Sequence, residues 1–182
     1  MSEFIFELSE NEKKFLKRIA LLSIRASFEK EIEFPDPPNQ KMTEKLGAFV
    51  TLKKGGRLRG CIGHIIGDRP LWETIIQMAA QAAFNDPRFP PLKKEELDSV
   101  EIEVSVLSPL EPVDDPAEIM PGQDGLLISQ KGLRGLLLPQ VATEWGWDRE
   151  TFLGQTCRKA GLAYDCWKEP DTEILRFQAI VF

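Results

Sequence analysis

Between Gly47 and Gly63 the chain reads GAFVTLKKGGRLRGCIG, two apolar runs on either side of a glycine pair. Ala48 to Lys53 alternates in character, and Leu58 to Ile65 follows the turn residues Lys54-Gly55-Gly56. Glycine takes positive φ at no steric cost, so this pattern predicts a β-hairpin over residues 46–66. Gly60 and Gly63 bracket Cys61-Ile62 in its second strand. Glycine weakens a strand, so the pair predicts a bulge, a bend, or close approach by a ligand or backbone. Val100, Ile102, Val104 and Val106 alternate with Glu101, Glu103 and Ser105, the signature of a strand covered on one side. A second hairpin is expected over 126–138, around Gln130-Lys131-Gly132, and a final strand over 175–182.

Helical spacing appears in three places. Ser9 and Glu12 form a capping box that opens a helix over about 10–29, with Phe15, Ile19, Leu22 and Ala26 as its buried stripe. The proline-rich Phe34 to Asn39 then makes a stiff connector. Asp68 is expected to cap a second helix, with Pro70 in its first turn and Leu71, Ile75, Met78, Ala79 and Ala82 facing inward. Asn85-Asp86-Pro87 stops it near Phe84. A third helix runs from Asp148 as cap to about Lys159, with Gly161 at the left-handed position beyond its end.

These elements predict an α+β fold, an antiparallel sheet flanked by helices, with residues 1–182 as a single domain. Leu58-Arg59-Gly60 and Leu133-Arg134-Gly135 each open the second strand of a hairpin that is followed by a helix and a strand. The echo leaves room for two unequal lobes built from repeated β-hairpin–helix–strand units.

Composition narrows the class. The 182 residues are 42% hydrophobic and 29% charged, ordinary for a water-soluble fold. No apolar run reaches the length of a membrane span, and the acidic N-terminus does not read as a secretory signal. A net charge of −6 argues against non-specific nucleic-acid binding, although Lys53, Lys54, Arg57 and Arg59 cluster in the hairpin with no acid among them. Three cysteines, at 61, 157 and 166, give no even disulfide framework and suit a reducing cytoplasm, the expected location.

Cys61 is the first candidate for chemistry. In an unbulged strand Arg57 and Arg59 share its face, and cations favour the thiolate. The plainer reading is a small buried hydrophobe. His64, the single histidine, falls on the opposite face from Cys61, which disfavours a Cys–His dyad. A zinc site from Cys61, His64, Cys157 and Cys166 lacks the paired C-x-x-C spacing, and no metal or cofactor is expected. Asp86 and Arg88 read either as an ion pair stiffening a turn or as polar groups held over a cleft. Glu101 and Glu103 read as a solvated strand face, and Trp145, Trp147 and Trp167 as packing residues rather than a base-stacking platform.

LRGCIG at 58–63, AAFNDPRFPPL at 82–92, EIEVSVLSP at 101–109 and LLLPQVA at 136–142 together resemble the AMMECR-one family, and the likeness runs from about Leu46 to Phe182. The resemblance implies that Asp86, Arg88 and Phe89 belong to a site. It also implies association with a Memo-type protein or a radical-SAM protein, around a theme of RNA-base or small-molecule modification. The reading favoured for this chain is a binding module or accessory subunit. Its contacts would come from Arg57, Arg59, Gly60, Gly63, Asp86 and Arg88. The alternative is an enzyme acting on a small anionic or nucleotide-like ligand through a cleft at Cys61, Arg59, Asp86 and Arg88.

Overall fold

The structure is a computed structural model and describes residues 6–182. The chain forms two compact units: one is built from the chain up to Leu107 together with Ile180–Phe182, the other from Ser108–Ala179.

The first unit contains α1 (Glu10–Arg25), β1 (Ala48–Lys54), β2 (Arg57–His64), α2 (Leu71–Phe84) and β3 (Val100–Leu107). Its sheet is completed by the last strand of the chain, β8 (Ala179–Val181), in the order β2-β1-β3-β8. The hairpin turn is Gly55-Gly56, with φ of 56° and 73°, the left-handed geometry that two-residue hairpins demand. Ala48, Val50 and Leu52 of β1 and Val104 and Val106 of β3 point to one side and are fully buried, together with Ile75, Met78, Ala79 and Ala82 of α2. Alternation thus places Phe49, Thr51, Lys53, Glu101, Glu103 and Ser105 on the opposite face.

Ser9 and Glu12 close the capping box as expected: Glu12 N–H donates to Ser9 Oγ, and Ser9 N–H donates to the Glu12 carboxylate. The helix ends earlier, at Arg25, and its buried stripe is Leu16, Ile19, Ala20, Ser23 and Ile24 rather than Phe15, Ile19, Leu22 and Ala26. The stripe is rotated because Ser23 Oγ reaches the Ile76 carbonyl of α2 at 2.6 Å, so a polar residue faces the neighbouring helix. Asp68 does not cap α2. It pairs with Arg69, and Pro70 occupies the cap position with no side-chain bond.

The second unit holds β4 (Glu111–Pro112), β5 (Gly125–Gln130), β6 (Leu133–Leu137), α3 (Pro139–Trp145), α4 (Arg149–Lys159) and β7 (Glu173–Phe177). Its sheet order is β4-β7-β5-β6. The single final strand expected over 175–182 is therefore two strands, β7 and β8, in different sheets. The short helix α3 carries no clear apolar period in the sequence. Asp148 caps α4 through Thr151 N–H, and Gly161 is left-handed at φ 77°. Trp147 and Trp167 pack on this unit's core, whereas Trp145 is 70% exposed and stacks on Trp147 with ring centroids 6.1 Å apart. Packing thus describes two of the three tryptophans, not Trp145.

The internal echo acquires a physical meaning. In the first unit the second strand of the hairpin, the first strand and the strand after the helix lie in the order β2-β1-β3, all antiparallel. In the second unit β6-β5-β7 repeats that order and sense. A Cβ on Gly60 would overlap the Ala82 carbonyl of α2, and a Cβ on Gly135 would overlap the Ala160 backbone at the end of α4. Both Leu-Arg-Gly glycines are where a helix backbone rests directly on the second strand.

One expectation is overturned. Cys157, in the last turn of α4, and Cys166 form a disulfide with Cα atoms 6.0 Å apart. An odd cysteine count does not prevent one pair from closing, and the left-handed Gly161 folds the intervening segment back. The bond also removes both sulfurs from the zinc set, and Cys166 is buried rather than in an open loop.

Two outcomes follow from this packing. Gly60→Val should lower stability by about 2–3 kcal/mol, the scale of overpacking, and Gly135→Val similarly. An unchanged thermal midpoint would mean that the helix does not rest on that glycine. Thiol titration of the unreduced, denatured protein should find one free cysteine, and three after reduction. Opening a loop of this size should cost roughly 2–3 kcal/mol in thermal or urea unfolding.

Candidate functional site

Cys61 is the free cysteine and is half-buried. It stands on the face of β2 turned away from the helices, opposite Thr51 of β1, which is in turn opposite Glu103 of β3. The Thr51 hydroxyl donates to Cys61 Sγ at 3.2 Å, and Lys53 pairs with Glu103 at 2.8 Å. Cys61, Thr51 and Glu103 thus make a polar row across three strands. Thr51 was not legible as a site residue in the sequence, because only the strand register brings it beside the thiol.

The backbone of Cys61 is gripped from the sheet edge. β2 is an edge strand, and the N–H and C=O of Cys61 point away from β1. Cys61 N–H donates to Asp86 Oδ2 at 2.9 Å, and Arg88 Nη2 donates to the Cys61 carbonyl at 3.1 Å. Arg88 Nη2 and Nε donate to Asp86 Oδ2 and Oδ1 at 2.7 and 3.0 Å, and Arg88 N–H also reaches Oδ1. Asp86 is therefore saturated, with a side chain only 1% exposed, while Arg88 remains 54% exposed. The Arg88 guanidinium, aided by the N–H groups of Cys61 and Arg88, holds the Asp86 pKa far below the usual carboxylate range against the opposing cost of burial. The loop Asn85-Asp86-Pro87-Arg88, which stops α2, acts as a substitute strand at this point of the edge.

The bulge predicted from the glycines lies just before Gly60. Leu52 pairs with Gly60 but Lys53 with Leu58, leaving Arg59 as the extra residue. Its guanidinium makes two bonds to Glu96, at 3.1 and 2.9 Å, and the same carboxylate takes Lys54 at 2.9 Å. Arg59 and then Lys54 lower the Glu96 pKa to about 2. The expected patch of unopposed cations is thus largely neutralised by acids distant in sequence, and Arg57 alone of the four is left exposed without an ion pair among the described residues. The guanidinium beside the Cys61 backbone belongs to Arg88, not Arg59.

Gly63 lies opposite Phe49, whose ring covers it, so a side chain there would meet the ring. His64 pairs in register with Ala48 and is exposed, on the opposite face from Cys61. Among the described residues no cluster of three or more His, Cys, Asp or Glu is arranged to hold a metal, and no helix is long and apolar enough to cross a membrane.

A mixed fold of two antiparallel sheets flanked by helices, with a thiol strand fastened by an Asp-Pro-Arg turn, defines the structural class. The family model described as AMMECR1 matches residues 17–182, and the chain belongs to that family. It is 48% identical over 183 residues to a protein of Methanothermobacter thermautotrophicus, covering 96% of this chain and 95% of that one. A protein of Nanoarchaeum equitans is 44% identical over 175 residues, covering 92% and 97%. The crystal structure of an uncharacterised protein from Pyrococcus horikoshii superposes with a TM-score of 0.85 at 42% identity, covering 97% of this chain and 93% of that one. These relatives carry only generic names.

The clamp sets an acid-sensitive limit on stability. The pKa values of Asp86 and Glu96 are depressed in the fold, so their contribution is complete above the unfolded carboxylate values near 4 and is lost as pH falls toward the folded ones. Urea midpoints should fall steeply from about pH 5 to pH 2. Asp86→Asn should flatten that limb, and Asp86→Ala should cost about 2–3 kcal/mol at pH 7. An acid limb of unchanged slope in Asp86→Asn would remove Asp86 from this role.

Proposed function

We propose that this chain is a binding module, an accessory subunit that docks a protein partner on the sheet face carrying Cys61, Thr51 and Glu103. The observation that carries the reading is the absence of a proton acceptor for the thiol. Cys61 receives a hydrogen bond from Thr51, the nearby Asp86 is saturated by its own donors, and His64 lies on the other face. A nucleophile needs a base or a strongly favoured thiolate, and this arrangement offers a small polar surface instead. The partner classes that the family likeness implies are a Memo-type protein and a radical-SAM protein. Arg57 and Arg88 are the exposed cations available to such a partner, and Arg59, Gly60, Gly63 and Asp86 act by shaping the strand they meet.

A second reading, an enzyme or enzyme component that takes a small anionic or nucleotide-like ligand, is favoured by one feature. Arg88 keeps more than half of its side chain exposed while fixed beside Cys61, a rigid guanidinium next to a thiol.

Isothermal titration of the full chain against a purified Memo-type protein and a purified radical-SAM protein separates these readings. At least one should bind, and Thr51→Arg should weaken it tenfold or more, about 1.4 kcal/mol, with an unchanged thermal midpoint. No binding by either, or wild-type affinity in Thr51→Arg, overturns the docking face. Saturable binding of a nucleoside monophosphate that is lost in Arg88→Ala would favour the second reading.

A further inference from the structure

The two edges of the first unit's sheet are treated differently. On β2 the Asp86–Arg88 pair occupies the edge at Cys61. On the far side, β8 covers β3 only in part. Val104 exchanges both backbone bonds with Phe182, at 2.9 and 3.0 Å, so the N–H and C=O of Val104 point toward β8. Leu107, at odd spacing, instead donates toward the β1 side, to the Gly47 carbonyl at 2.8 Å. Alternation then turns the N–H and C=O of Ile102 toward the β8 edge as well, one step beyond Phe182. There they meet no strand among the described residues, and Val100 repeats the orientation.

A groove of about 760 Å³ lies along this open stretch. Val100, Ile102, Leu97, Leu21 and Phe182 supply its apolar lining. The wall contributed by α1 carries Lys17, Arg18 and Arg25, none of them in an ion pair among the described residues. Lys17 stands over the Phe182 ring at 5.9 Å. Arg25 Nε is buried without any hydrogen-bond partner. Lys53 and Glu103, also at the groove, cancel each other in their ion pair. Two demands are therefore unmet side by side: a strand edge without a strand, and a buried cationic donor without an acceptor.

We infer that this groove receives an extended acidic segment of a protein partner, added to the sheet as a strand beside residues 100–102, with its carboxylates on the α1 wall. Main-chain bonds to Ile102 provide the register. Side chains alternate along a strand, so every second residue of the segment faces Arg25, Arg18 and Lys17, and these are the acidic positions. The residues between them share the face of Glu101 and Glu103 and are uncharged or basic. This surface uses none of the residues of the Cys61 row except Glu103, and the inference stands apart from the docking face proposed above.

Three blocked eight-residue peptides test it by amide-shift titration of the isotopically labelled full chain. One alternates glutamate with threonine, one alternates lysine with threonine, and one has the glutamate pattern with proline at the intervening positions. The first should shift the amides of Val100, Ile102 and Arg25 and slow hydrogen exchange at Ile102. The lysine and proline peptides should bind at least tenfold more weakly. Arg25→Glu should weaken the glutamate peptide by tenfold or more while leaving amide shifts in β1 and β2 in place. Equal binding of the lysine peptide overturns the charge argument. Equal binding of the proline peptide, or of free glutarate at the same concentration, overturns strand addition and leaves a small-anion site. Shifts confined to the Cys61 row, or none, overturn the groove itself.

Discussion

The first unit depends on a backbone-to-backbone contact. Gly60 of β2 lies against the Ala82 carbonyl of α2, too close for any side chain between them. Close approach lets Ala79, Ala82 and Ala83 bury themselves against the sheet, and it brings the end of α2 beside the edge strand. The turn after the helix can then reach Cys61. Gly135 makes the corresponding contact with the end of α4 in the second unit, on the same strand of the same three-stranded arrangement. Two hairpins of like topology share a steric solution, which gives the Leu-Arg-Gly echo a cause independent of ancestry.

The edge strand explains the Asp-Pro-Arg turn. An unpaired strand edge must be bonded, covered or left to recruit another strand. At Cys61 one carboxylate and one guanidinium perform the exchange that a neighbouring residue would perform, one accepting from N–H and the other donating to C=O. The pair is charge-assisted and saturated, so it fixes the strand more firmly than a neutral ladder bond. The same logic marks the opposite edge, where β3 outruns β8 and no such substitute is built.

Charge placement decides how Cys61 reads. The basic hairpin looks unopposed along the chain, yet Glu96 takes both Arg59 and Lys54, and Glu103 takes Lys53. Those acids lie in the turn before β3 and on β3 itself, some forty to fifty positions away, and the hairpin's field is spent within the fold. What remains around the thiol is a threonine hydroxyl and the partly exposed Arg88, a surface suited to recognition more than to proton transfer.

Local pattern determined much of this protein. The two glycine turns, the alternation of β3, the capping boxes and the left-handed Gly161 are dictated by neighbouring residues, because turn geometry and side-chain period act over a few positions. The family was equally legible, since LRGCIG and NDPRFPP stand as continuous motifs. Tertiary structure decided everything that depends on what faces what. It rotated the stripe of α1 through the Ser23–Ile76 bond, divided the last apolar run between two sheets, and joined Cys157 to Cys166. It also set Thr51 beside Cys61 and gave Arg59 to Glu96. Each of these is a pairing between distant positions, and one residue of register or 100° of helix rotation changes the partner without changing the local pattern that the sequence displays.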